Sequence, residues 1–129
     1  MNLLHQQNIK LIIFDFDGTI ADTSSGIIDS HKYTLLKMGK ELPNDDSLRN
    51  LIGGNLLQIY QNFFGLDKNT AIEAIRIYRN RYSEKGIHLA VLYPKFKEML
   101  EILKKNGFLI GVATLKSEKF AILMLKELD

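Results

Sequence analysis

The stretch LIIFDFDGTIADT, residues 11–23, decides how the rest of the chain is read. With the two residues before it, IKLIIFDF is short, rich in Ile and Phe, and apolar on both alternating faces. That is the pattern of a strand buried on both sides of a parallel sheet. It finishes in two aspartates one residue apart, Asp15 and Asp17, followed by Gly18 and Thr19. In an open parallel sheet the carboxyl ends of the strands form the ligand crevice. Residues two apart on a strand point to the same side, so both carboxylates are expected to face one small volume.

Two like charges that close push one pKa upward unless a cation is shared, and one group then holds a proton while the other stays ionised. The division suits phosphoryl transfer. Asp15 would attack phosphorus to give an aspartyl-phosphate, and Asp17 would protonate the leaving alcohol and later activate water. Gly18 permits a tight turn with bare backbone N–H groups toward phosphate oxygens, and Thr19 adds a hydroxyl. The same four residues also describe an ordinary strand-to-turn exit, so the rest of the chain must decide between the two.

A second strand-like run is FLIGVAT, 108–114. Before it, YPKFKEMLEILKKNG reads as a helix, with Pro94 in the first helical position and Gly107 as its left-handed stop. After it, LKSEKFAILMLKELD reads as another, with Ser117 as cap. Thr114 ends the second strand and in a parallel pair lies beside Asp15, where its hydroxyl would bind a phosphoryl oxygen; Lys116 would bring positive charge to the same edge. The segment between the strands changes character. SSGIIDSHKYTLLKMG, DDSLRNLIGG, NLLQIYQNFFG and DKNTAIEAIRIYRNRYSEKG each show helical spacing and close at glycine. The first is capped by Ser24 or Ser25 and carries Ile27, Ile28, His31, Leu35 and Met38 along one side. A small helical domain, 22–89, is therefore inserted into an α/β core made of 1–21 and 90–129. The core is a βαβα piece of a doubly wound parallel sheet.

The 129 residues suit one domain, and 46% hydrophobic with 25% charged residues excludes disorder or a fibrous repeat. Net charge is only +2 and the cations are scattered among acids, so nucleic acid is not an expected partner. There is no cysteine, hence no disulfide or thiolate chemistry. No apolar run approaches a membrane span and no signal peptide is visible, so a cytoplasmic protein is expected. His5, His31 and His88 share no metal-ligand spacing, and His31 on an apolar stripe reads as a packed histidine. Tyr60, Phe63 and Phe64 read as core or cap interface. Arg76, Arg79, Arg81 and Lys85 read as a wet helix face, with a substrate-anion contact from one of them as the alternative.

DFDGTIADT and GVATLKS resemble the first and second motifs of the haloacid dehalogenase-like (HAD) hydrolases, in particular their phosphoglycolate phosphatase-like branch. YRNRYSEKGIHLAVLYPKFKEMLEILKKNGFLIGVAT is similar to the stretch that returns that family's helical cap to its core. The resemblance implies a HAD-like Rossmannoid core with an inserted α-helical cap, and a phosphatase acting on a small phosphorylated metabolite. It implies Asp15 as nucleophile, Asp17 as acid/base, and Thr114 as a phosphate-binding residue. It also implies Mg²⁺ on the Asp15 carboxylate and the Asp17 carbonyl, and a substrate-facing cap turn at Gly53 and Gly54.

The family's later lysine and acidic motif do not occur before Asp129. Mg²⁺ wants six oxygens, and unit charges ~4 Å apart repel by about 4 kcal/mol at an effective dielectric of 20, so the site reads as half built. Two strands alone would also leave apolar edges and faces open. The expectation is the amino-terminal part of a longer phosphatase, with self-association through those edges. Two alternatives stay open: a catalytically silent fragment or interaction module, and a phosphomutase. Dehalogenation is disfavoured, since it needs no acid at Asp17.

Overall fold

A computed structural model describes residues 8–128; His5 and Asp129 lie outside them. The central pair is parallel: β1 (Leu11–Phe14) runs beside β4 (Leu109–Val112), with Leu11 opposite Leu109 and Phe14 opposite Val112. The Ala113 N–H continues the ladder to the Phe14 carbonyl at 2.9 Å, so Ala113, one residue before Thr114, lies beside Asp15. Helix α5 (Phe96–Lys105) makes the crossover, and α6 (Glu118–Leu128) follows β4. The chain is thus α/β with a parallel sheet.

Residues 24–89 are mostly helical, as the periodicity predicts. Helix α1 (Ser24–Lys37) packs on α4 (Lys68–Glu84), with α2 (Asp45–Arg49) against α1. A short helix α3 (Leu56–Gln58) widens into a π-helical turn, Ile59–Phe63, and α4 is followed by a 3-10 turn, Gly86–Leu89. Gly39, at φ +66°, supplies the left-handed residue that ends α1, and Gly107, at φ +82°, does the same for α5. Gly26 and Gly86 have another role: a Cβ on Gly26 would run into the Gly86 backbone carbonyl, so α1 crosses the 3-10 turn in direct backbone contact. One apolar cluster joins Ile27, Tyr60, Ala71 and Tyr82 of the helical segment to Phe16, Phe96, Phe120 and Met124 of the α/β part.

Four sequence expectations change. Pro94 is not in the helix; α5 starts at Phe96, after Lys95 adopts a left-handed φ of +62°. Neither Ser24 nor Ser25 caps α1; Ser24 is already its first residue, and Asp22 Oδ1 accepts from the Ser24 N–H at 3.0 Å and hydroxyl at 2.6 Å. Those bonds hold the Asp22 carboxyl below its ordinary value. Two short strands were not anticipated: β2 (Ala21–Asp22) pairs antiparallel with β3 (Val91–Leu92) where the helical segment begins and ends. Finally, the central strands are apolar on both faces but only part-covered: Ile13 is 57% and Leu109 67% exposed. Among the described residues, no helix is long and apolar enough to cross a membrane.

Candidate active site

The two aspartates stand close in sequence but in different environments, and a turn rather than strand alternation sets them there. β1 stops at Phe14, and Asp17 is placed by a turn. Phe16 is fully buried and anchors that turn; its carbonyl accepts from the N–H groups of Thr19 at 3.1 Å and Ile20 at 3.0 Å. Gly18 sits at φ +76°, where a side chain would be strained, and its N–H donates to the Ala21 carbonyl at 2.9 Å. The consequence is a division of environments. Asp15 is exposed, and its Oδ1 accepts from the Phe16 N–H at 2.7 Å. The Asp17 side chain is turned inward and only 5% exposed.

Asp17 Oδ1 accepts from the Thr23 hydroxyl at 2.7 Å and lies 3.1 Å from Lys116 Nζ. Lys116 is itself 6% exposed, so this is a buried ion pair. Its ammonium also donates to the Tyr82 hydroxyl at 2.8 Å and lies 4.4 Å from the centre of the Tyr82 ring. Burial pushes the Lys116 ammonium below its ordinary value, opposed by the Asp17 charge. Burial, with the Asp17 charge second, raises the Tyr82 hydroxyl and keeps it protonated. An ammonium has three donors, and two of them are committed here, to Asp17 and Tyr82.

Above this pair lies a cavity of about 90 Å³ between the helical segment and the α/β part. Asp17 and Lys116 line it, and so do Gly53 and Gly54, the turn expected to face a substrate. Asp15, Gly18, Thr19 and Thr114 do not. The Thr114 hydroxyl accepts from the Lys116 N–H at 3.0 Å, a bond within the loop that carries Lys116. The sequence reading missed Tyr82, which carries no motif. It placed His31 correctly in the interior but not at this cavity, which His31 and Arg79 also line.

The donor set can be tested against Mg²⁺. Among the described residues there is no cluster of three carboxylate or imidazole groups able to hold a metal. The Asp15 carboxylate and a backbone carbonyl would supply two of six positions, so these residues alone do not complete the site.

With this geometry in hand, comparison with known proteins is direct. The family described as haloacid dehalogenase-like hydrolase matches residues 12–129. A 5'-nucleotidase of Pseudomonas aeruginosa is 36% identical over 110 residues, covering 85% of this chain and 50% of that protein. A phosphoglycolate phosphatase of Vibrio parahaemolyticus is 30% identical over 123 residues, covering 89% and 54%. Among solved structures, a predicted phosphatase from Clostridium acetobutylicum superposes with a TM-score of 0.88 at 32% identity, covering 92% of this chain and 55% of its own. The chain spans about half the length of the relatives it matches. It belongs to the haloacid dehalogenase-like hydrolases, a family that includes relatives named as phosphoric monoester hydrolases.

Proposed function

We propose that the Asp15–Asp17 turn and the cavity beside it form the active site of a phosphatase that hydrolyses a small phosphorylated metabolite through an aspartyl-phosphate on Asp15. The observation that carries this reading is the contrast between the two carboxylates: Asp15 exposed at the strand end, Asp17 buried against Lys116. Asp15 attacks phosphorus, and the P–O bond to the leaving group breaks. Asp17 gives that oxygen a proton. It then takes one from water, which attacks the acyl phosphate and frees inorganic phosphate. In the resting site Asp17 is engaged by Lys116 and the Thr23 hydroxyl. A phosphate dianion that draws the ammonium to itself frees the Asp17 carboxyl for the leaving group. Gly18 and Thr19 offer donors on the outer side of the same turn, and residues 22–89 act as a cap closing over the site.

Mg²⁺ is part of this proposal as the family's general cofactor; it would neutralise charge between Asp15 and the phosphate. The Asp15 carboxylate and the Asp17 carbonyl are its candidate ligands here. A small substrate is supported by the likeness to phosphoglycolate phosphatase and by the cavity, which falls below the roughly 300–1,000 Å³ of pockets for drug-sized ligands.

A second reading is favoured by the incomplete metal donor set and the exposed sheet: the chain binds phosphate but does not turn over alone. Hydrolysis of p-nitrophenyl phosphate with Mg²⁺, by the chain and by Asp15→Asn, separates the two. The phosphatase reading expects turnover that falls by about a thousandfold or more in Asp15→Asn, the scale on which loss of a covalent nucleophile acts. Absent turnover with phosphate binding retained supports the second.

A further inference from the structure

His31 is fully buried on α1, and one of its ring nitrogens has no partner among the described residues. Nδ1 lies 3.0 Å from the Tyr60 hydroxyl, and the ring packs 4.7 Å from that of Tyr78. Nε2 makes no hydrogen bond, although the residue lines the cavity that contains Asp17 and Lys116. A buried polar atom left unpaired is costly, so a histidine kept only for packing would be expected to have both nitrogens satisfied. A solvent molecule alone would meet that need; a second feature points to a ligand. Helix α4 carries three arginines. Arg76 is paired with Glu73 and Arg81 with Asp29, whereas Arg79 has no carboxylate partner among the described residues and lines the same cavity.

We infer that His31 Nε2 and the Arg79 guanidinium together recognise a second anionic oxygen group, carried on the leaving-group half of the phosphomonoester. This rests on the phosphatase reading of the cavity and adds the residues that select its substrate. Lys116 takes the phosphate end, and the Arg79 fork takes the far anion, a geometry guanidinium supplies for carboxylate and phosphate alike. Burial holds the His31 imidazole down to about 4, so at neutral pH it is uncharged and has one N–H. Burial also raises the Tyr60 hydroxyl, which therefore keeps its proton. When that hydroxyl donates to Nδ1, the imidazole proton sits on Nε2 and is offered to the anion. A leaving group with only carbon and hydrogen at that end leaves both donors unmet.

The test is equilibrium binding to the full chain of inorganic phosphate, ethyl phosphate, 2-phosphoglycolate and ethane-1,2-diol bisphosphate. At least one of the two doubly anionic probes is expected to bind about tenfold or more tighter than ethyl phosphate, as a charge-assisted hydrogen bond provides. Which of them wins separates carboxylate from phosphate. Arg79→Met, an exposed change that does not endanger the fold, and His31→Leu should each collapse that ratio toward one. His31→Gln places an amide near Nε2 and should restore part of it. In ¹⁵N-labelled protein the His31 Nε2 resonance should shift with the preferred probe and not with inorganic phosphate. Equal binding of ethyl phosphate and both anions overturns the inference, as does a preference that survives Arg79→Met and His31→Leu. If phosphate binds but no preference exists, the inference alone falls; if neither phosphate nor any ester binds, the phosphatase reading falls with it.

Discussion

The central strands are apolar throughout and the helical segment only along stripes, yet it is the segment's apolar side chains that are the better buried. In the segment, Leu35, Leu48, Tyr60, Ala71 and Tyr82 are all essentially solvent-free. In the strands, Leu11 and Ile13 of β1 and Leu109 of β4 stand half or more exposed. A helix finds partners for its apolar stripe among helices close in sequence. A parallel strand needs neighbours on both faces and both edges, supplied across long sequence separations. Apolar sequence thus reports what a face requires, and the fold decides whether the requirement is met.

Four experiments press on that difference. The largest effect should come from Leu35→Ala, which empties a buried site and should cost about 2–5 kcal/mol in urea unfolding; a loss below about 1 kcal/mol would mean the segment is far looser than its burial implies. Next is acid. Folded His31 is held at about 4 by burial, against an ordinary 6.5. Between those values the unfolded chain binds more protons, so the contribution is complete above about pH 6.5 and is lost as pH falls toward 4, by about 3 kcal/mol. His31→Gln should flatten that part of the stability profile, and an unchanged slope would assign the acid sensitivity elsewhere.

Gly26→Ala should follow, at about 1–3 kcal/mol, because the new methyl meets backbone rather than a side chain that can turn away. Its melting temperature is the readout, and an unchanged one would show that α1 and the 3-10 turn part at little cost. Smallest is Leu109→Thr, on the exposed face, which should shift stability by no more than about 0.5 kcal/mol. If chains associate through this face, the same change should lower the apparent mass on gel filtration at high concentration; a monomer at every concentration would leave the face uncovered.

Much of this was legible beforehand. The two strands, the helical order and the buried stripe Ile27, Ile28, His31 and Leu35 follow from periodicity, which local chemistry sets. The stops at Gly39 and Gly107 follow from the one residue type that tolerates their backbone. The Asp17–Lys116 pair was only half visible: both residues stood out, but their contact spans most of the chain and depends on the turn that Phe16 anchors and the loop that carries Lys116. Asp15 and Asp17 were assigned to the same volume by strand alternation, and a turn after Phe14 divides their environments instead. Tyr82, the ring beneath Lys116, carries no local signal. The pairing of β2 with β3 was equally hidden, since two-residue strands leave no periodicity to read.

That small ladder has a consequence for engineering. It sets Ala21 beside Leu92 and Asp22 beside Val91, so residues 23–90 leave and rejoin the α/β part at adjacent points. Ends held that close can be bridged by a short turn, which makes the stretch a cassette: it can be excised, exchanged for another helical module, or opened at a surface loop to move the chain termini, without rerouting β1 or β4.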